Sequence, residues 1–283
     1  MTVAELKQEV ILKQEVSLED FFVLLAFVTK KSKTFLFAHE ELLLSKEQYT
    51  LLQDLLKRRA LHEPVSYLTG IKEFFGRNFL VTPDTLIPRP ETELMVEEVL
   101  AQVKNTDLSY TFIDIGTGSG AIILTLAQEL TSIGKAAQYL ALDISSEALQ
   151  VAQKNQNAFG DTQVQFLQSD LLVSVPETYW HNNLIFLANL PYVPEEQYQN
   201  AMPDVTLYEP ALALVSGSDG LDHYRRLISE LAFQKLESFT LYLEIDPSQT
   251  TVLQELLRDT FANGKLEVIK DFQNHDRIIR LIQ

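Results

Sequence analysis

A chain of 283 residues with 46% hydrophobic and 22% charged side chains has room for two cores and an ordinary soluble balance. It contains no cysteine, which excludes disulfides, thiolate metal sites and a cysteine nucleophile. Residues 1–90 are balanced, so the net charge of −16 falls on residues 91–283, a surface that serves solubility and repels phosphate backbones.

Residues 4–60 read as helices. An apolar patch runs from Phe21 to Val28, far short of the roughly 20 residues of a membrane span. Ser45 with Gln48 three residues on reads as an N-cap and its box partner. Leu51, Leu52, Leu55 and Leu56 recur at helical spacing up to Lys57-Arg58-Arg59, which suits a helix C-terminus. Glu5, Lys7, Glu9 and Lys13 make the start unlike a signal peptide, so a cytoplasmic protein without a membrane partner is expected.

Residues 61–90 change character. Gly70, Gly76, Pro83, Pro88 and Pro90 punctuate short β-prone pieces such as 78–81, the pattern of a hairpin linker. Beyond it the chain alternates. Helices are expected over 91–103, 119–130, 146–158, 222–235 and 248–261. Strands are expected over 111–115, 139–143, 164–168, 184–188, 239–245, 266–269 and 278–282. Such alternation predicts an α/β domain with a mainly parallel sheet covered on both faces. The expected domains are a helical domain over 1–65, a hairpin linker over 66–90 and an α/β domain over 91–283.

The first strand of that domain runs into Gly116-Thr117-Gly118-Ser119-Gly120 and a helix. Ligands of open α/β sheets bind beyond the carboxyl ends of the strands, and glycines there let backbone approach them. The spacing G-x-G-x-G differs from the dinucleotide fingerprint and suits S-adenosylmethionine, which has no phosphate. Asp114 at the strand end suits an ammonium group. Asp143 after the second strand suits ribose hydroxyls, and Asp170 after the third an adenine amino group. Each Asp alone also reads as a turn or N-cap residue.

After the fourth strand comes Asn189-Leu190-Pro191-Tyr192. Pro191 pushes Leu190 towards an extended conformation, which directs its carbonyl outward. The Asn189 side-chain oxygen and the Leu190 carbonyl can accept both hydrogens of a planar NH2 group, with Tyr192 over its plane. Two such acceptors raise electron density on a weakly nucleophilic nitrogen and aim it at a methyl donor. The five histidines have no metal-ligand spacing, so no metal is expected.

These residues resemble the class I methyltransferases that modify planar nitrogens, and specifically the release-factor glutamine N5-methyltransferases (the HemK/PrmC family). The similarity covers about residues 50–283. It rests on Leu56 to Gly70, Glu73 to Gly76, Thr82-Pro83-Asp84, Ile87 to Glu93, Gly116 to Ala121, Tyr208-Glu209-Pro210 and Asp219-Gly220-Leu221. Residue 190 is leucine where that family usually has proline, a tetrad also typical of ribosomal RNA adenine-N6 dimethyltransferases, and Asp246-Pro247 stands where the family often has glycine.

The resemblance implies a Rossmann-like domain with an antiparallel last strand, S-adenosyl-L-methionine as donor and S-adenosyl-L-homocysteine as product. It implies the glutamine of a Gly-Gly-Gln loop in peptide-chain release factors as substrate. The candidate cofactor residues are Asp114, Gly116, Thr117, Gly118, Ser119, Gly120, Asp143, Ile144, Asp170, Leu171 and Asn189. The candidate catalytic residues are Asn189, Leu190, Pro191 and Tyr192. The expected partner is a release factor bound by a monomer, without direct nucleic-acid contact. The alternatives are an adenine N6-methyltransferase acting on RNA or DNA, and a methyltransferase-like binding module without catalysis.

Overall fold

The computed structural model describes residues 1–160, 163–181 and 183–283. Its elements begin with helices α1 (Val3–Lys13), α2 (Leu18–Thr29), α3 (Lys33–Ala38), α4 (Lys46–Ala60) and α5 (Val65–Thr69). Strands β1 (Ile71–Phe74) and β2 (Arg77–Leu80) follow, then α6 (Glu93–Val103), β3 (Tyr110–Ile115), α7 (Ala121–Ser132), β4 (Ala137–Asp143), α8 (Ser146–Phe159) and β5 (Gln165–Gln168). The chain continues with β6 (Asn183–Ala188), α9 (Glu195–Gln199), α10 (Pro203–Tyr208), α11 (Asp222–Gln234), β7 (Thr240–Glu244), α12 (Thr250–Thr260), β8 (Lys265–Lys270) and β9 (Asp276–Ile282). Among the described residues no helix is long and apolar enough to cross a membrane.

Residues 1–71 and 202–208 form one compact unit, and residues 72–201 and 209–283 form another. In the helical unit α2 is apolar on most of its faces and therefore central. Its Phe21, Phe22, Leu24, Leu25 and Val28 are buried with Leu6 and Val10 of α1 and Leu52 and Leu55 of α4. The expected box at Ser45 and Gln48 is present, with both reciprocal hydrogen bonds made. Arg58 and Arg59 do more than complement a helix end. Arg58 pairs with Glu63, and Arg59 joins Asp20 at 2.8 Å to Asp204 of α10 at 2.7 Å.

The larger unit is built on a seven-stranded sheet in the order β5-β4-β3-β6-β7-β9-β8. Neighbours from β5 to β7 are parallel, and β9 is antiparallel to both β7 and β8. Period-two alternation gives the sheet two apolar faces. Ile113, Ile115, Leu140 and Phe186 pack with α11 and α12 on one side. Phe112, Tyr139, Ile185 and Tyr242 pack with α6 and α7 on the other.

The hairpin of β1 and β2 falls within the expected linker over 66–90. Phe74 of β1 and Phe79 of β2 are fully buried in the core that holds α6 and α7, so the hairpin belongs to the larger unit. The helices α5, α9 and α10 were not foreseen, being too short to display a helical period. The helix expected from residue 119 starts at Ala121, because Gly120 is its N-cap at φ +82°.

Candidate active site

The glycine turn begins where β3 ends, at the middle of the sheet. Gly116 and Thr117 both donate their N–H groups to the Leu142 carbonyl at the end of β4, at 2.9 and 2.8 Å. Two glycines carry the geometry. Gly116 has φ +73°, and a β-carbon there would lie 3.0 Å from Leu190 Cδ2. Gly118 has φ +55°, and a β-carbon there would meet nothing within 4 Å, the signature of a cradle that faces open space. Its N–H donates to Asp143 Oδ2 at 2.8 Å, while Asp143 Oδ1 accepts from Ser145 N at 2.9 Å. Burial pushes the Asp143 carboxyl up.

A cavity of about 360 Å³ opens over this turn, within the roughly 300–1,000 Å³ of small-molecule sites. Residues 115–119 form its floor. Asp143 and Ile144 stand at the end of β4, Asp170 and Leu171 follow β5, and Asn189, Leu190 and Pro191 follow β6. The sequence-predicted residues from four separated stretches therefore meet in one place, with three exceptions. Gly120 caps α7, and a β-carbon there would lie 2.8 Å from Leu124 Cδ1. The other two are Asp114 and Tyr192, which stand behind the wall.

Asp114 was expected to face an ammonium group. It is 1% exposed, lies behind the turn and accepts a hydrogen bond from Thr117 Oγ1 at 2.6 Å. Its Oδ1 has no hydrogen-bond partner among the described residues. Burial raises its pKa from 3.8 to about 7, opposed by the Thr117 hydroxyl and assisted by the charge of Asp143. Its carboxylate holds the turn rather than the cavity wall. Tyr192 was expected to lie over the substrate amide. It is half-buried against the core of α11 and α12, where burial and the nearby Glu244 push its hydroxyl pKa up.

Asp170 accepts from Arg226 Nη2 of α11 at 2.7 Å and is half-exposed. The cavity wall carries a second arginine, Arg89, whose Nη2 donates to the buried Glu209 at 2.5 Å. Both cations are thus neutralised within the protein, which leaves neither to neutralise a pyrophosphate. A donor with an amino-acid end and an adenosine end, and no phosphate, fits this set of groups.

The tetrad leaves β6 directly beside the turn. Leu190 is buried, and its side chain packs over Gly116. Asn189 Nδ2 donates to Thr92 Oγ1 at 3.1 Å. Asn189 lines the cavity, and no hydrogen bond to its Oδ1 is made among the described residues. The site can therefore offer a carbonyl-type acceptor next to a pocket for a methyl donor.

Sequence reasoning missed several contributors. The segment 83–92 supplies a wall through Pro83, Thr85, Leu86, Pro88 and Arg89. Glu209 pins that segment, accepting from Ile87 N at 3.1 Å as well as from Arg89. Asn155 of α8 accepts from Leu80 N at 2.7 Å and donates to the carbonyls of Leu80 and Ser119 at 3.0 and 2.8 Å, tying the hairpin to the glycine turn. Its signal was present: Asn155 continues the buried stripe of Ala148, Val151 and Ala152. His223 of α11 also lines the cavity, 2.7 Å from Ser216 Oγ through Nδ1, and burial lowers its pKa.

Comparison with known proteins finds methyltransferase relatives. Residues 9–70 match the family model described as PrmC N-terminal domain, and residues 107–203 match a methyltransferase domain. The release factor glutamine methyltransferase of Bacillus anthracis is 34% identical over 259 residues, covering 91% of this chain and 89% of its own length. The Bacillus subtilis enzyme of the same name is 37% identical over 219 residues, 76% of this chain and 74% of its own. Among solved structures, the catalytic domain of hMettl16 in complex with a MAT2A 3′UTR hairpin aligns with a TM-score of 0.55 at 18% identity. It covers 78% of this chain and 80% of that one, a likeness of fold alone. The sheet order and these matches define a class I methyltransferase fold.

Proposed function

This chain belongs to the release factor glutamine methyltransferase family, and from that premise we propose that it methylates the side-chain amide nitrogen (N5) of a glutamine in the Gly-Gly-Gln loop of a peptide-chain release factor. S-adenosylmethionine supplies the electrophilic methyl group and leaves as S-adenosylhomocysteine.

Gly116, Thr117, Gly118 and Ser119 would line the donor, with Asp143 and Ile144 along its ribose and Asp170 and Leu171 at its adenine. Gly120 and Asp114 act from behind, fixing the helix start and the turn. Asn189 Oδ1 and the Leu190 carbonyl accept the two amide hydrogens of the substrate. An amide lone pair is delocalised into its carbonyl, so it attacks poorly. Acceptance of both hydrogens returns density to nitrogen and fixes it in one direction, and positioning of this kind supplies up to about 7–11 kcal/mol. No base is needed before transfer, since the extra proton leaves nitrogen for water afterwards. Pro191 holds Leu190 extended, and Tyr192 supports the exit of β6 from behind.

The observation that carries this reading is the state of Asn189. Its amide nitrogen is already engaged by Thr92, which leaves the oxygen as the group available at the cavity. A dead binding module would not need that polarity. Residues 1–65 would dock the release factor, in the cytoplasm, to a monomeric enzyme.

Asn189→Ala tests the reading. Its Kd for S-adenosylmethionine, measured by calorimetry, is expected within about threefold of wild type, while kcat falls by about 10²-fold or more. Equal loss of binding and turnover would show that the tetrad is not the substrate clamp.

A further inference from the structure

An asparagine side chain has two ends of nearly the same shape and opposite polarity. Only the oxygen end can accept from a substrate NH2 group, so the clamp works in one of two orientations. The structure contains what selects it. Asn189 Nδ2 donates to Thr92 Oγ1 at 3.1 Å, and Thr92 is the buried last residue of the turn 90–92 that opens α6. The Thr92 hydroxyl also bears on the carboxylate of Glu244, lowering its pKa against the larger effect of burial. Strand register explains why Glu244 is there. Ala188 of β6 pairs with Leu243 of β7, so one step further along both strands Asn189 stands beside Glu244.

We propose that Thr92 and Glu244 are positioning residues for methyl transfer, a relay in which the carboxylate commits the Thr92 proton, leaving the hydroxyl as an acceptor for Asn189 Nδ2 and turning Asn189 Oδ1 to the substrate. The proposal rests on the reading of Asn189 as the amide acceptor. In its ionised form the carboxylate accepts only, and it then orients the hydroxyl without ambiguity. Without it the hydroxyl can donate instead, and the asparagine can turn its nitrogen to the cavity, where it would oppose the incoming NH2.

Glu244 also has the marks of a group retained for something other than stability. It is 1% exposed, and its Oε2 has no hydrogen-bond partner among the described residues. A buried carboxylate so poorly paired is costly, and an apolar residue would suit the end of a central strand better. Arg277, Arg89 and Glu91 act on it electrostatically from neighbouring segments, and Tyr224 donates to its backbone carbonyl. Thr92 lines the cavity and Glu244 does not; both act on the substrate through Asn189.

The test is a kinetic cycle on the full chain with S-adenosylmethionine and a release factor. Thr92→Val keeps the shape of the side chain and removes the acceptor. It is expected to lower kcat by about tenfold or more, with KM for the release factor and Kd for S-adenosylmethionine within about threefold of wild type. Thr92→Ser restores kcat to within about threefold, because the hydroxyl returns. Glu244→Leu is expected to lower kcat as Thr92→Val does, and Glu244→Gln to lower it less, since its amide oxygen still accepts. In an Asn189→Ala background Thr92→Val should change kcat by less than about twofold, because nothing remains to orient. Wild-type kcat in Thr92→Val, or an equal further loss in the Asn189→Ala background, would overturn the relay. Full kcat in Asn189→Ala alone would instead overturn the amide-acceptor reading, whatever Thr92 does.

Discussion

Gly116 and Gly118 are two residues apart and face different demands. Both have positive φ, which costs an L-residue about 1–2 kcal/mol. Only Gly116 is also crowded, since a β-carbon there would press on Leu190. Gly116→Ala is therefore expected to lower the thermal midpoint of the free protein more than Gly118→Ala does. Gly118→Ala places its methyl group in the open cradle, so its loss should appear mainly as weaker binding of S-adenosylmethionine in calorimetry. Equal midpoints for the two variants would contradict the packing of Leu190 on the turn. That contact also gives Leu190, where the resembling family usually has proline, a physical role in joining the substrate clamp to the donor pocket.

Asp114 gives a pH dependence with a definite sign. Its folded pKa is about 7 against an ordinary 3.8, so between those values the native state holds a proton that the unfolded state releases. Stability attributable to this group is thus greatest below about 4 and declines as pH rises towards 7. Glu244, also raised to about 7 by burial, adds to the same slope, while His223, whose pKa is lowered, opposes it. Asp114→Asn preserves an acceptor for Thr117 and removes the titration. Denaturant unfolding at about pH 5 and about pH 8 should show a smaller decline in the variant than in wild type. Parallel declines would show that the carboxyl is not protonated in the native protein near neutrality.

At the scale of elements, the cavity depends on a segment that is neither helix nor strand over most of its length. Residues 83–89 hold their course because Glu209 grips both the Ile87 N–H and the Arg89 guanidinium. Glu209→Ala leaves a buried N–H unsatisfied and a cation without its partner. It is expected to raise the Kd for S-adenosylmethionine by about tenfold, and Glu209→Gln by less, because its amide oxygen can still accept from Ile87. An unchanged Kd in Glu209→Ala would mean that the segment holds itself in place.

The central strands were legible because β3, β6 and β7 are short apolar runs between turn residues, and the helices beside them carry clear stripes. The hairpin strands were visible, but their burial was not, since Phe74 and Phe79 owe it to α6 and α7 far along the chain. The same limit applies within the site. Glycine spacing and the Asn-Leu-Pro-Tyr run announce themselves locally, whereas Thr92, Asn155, Glu209 and Glu244 matter only through partners distant in sequence. Asp114 was misplaced for the converse reason: a carboxylate at a strand end next to glycines suggests a ligand, but the β3 pleat turns it inward to Thr117.

For the whole molecule, charge and shape divide the labour. The acidic excess lies on residues 91–283, which hold the glycine turn and the tetrad, and residues 1–90 are balanced. A phosphate-rich substrate would meet repulsion at the catalytic part, which lacks the basic excess that makes nucleic-acid binding strong and steeply salt-dependent. A protein loop that presents one glutamine meets no such barrier. The fold by itself does not decide between them, since the hMettl16 domain solved with an RNA hairpin has a related architecture. The most direct measurement is therefore methyl transfer from labelled S-adenosylmethionine to three acceptors in parallel: a purified release factor, the same protein with its Gly-Gly-Gln glutamine replaced by alanine, and ribosomal RNA. Label on the first alone is the predicted result, and label on RNA with none on the release factor would contradict the account.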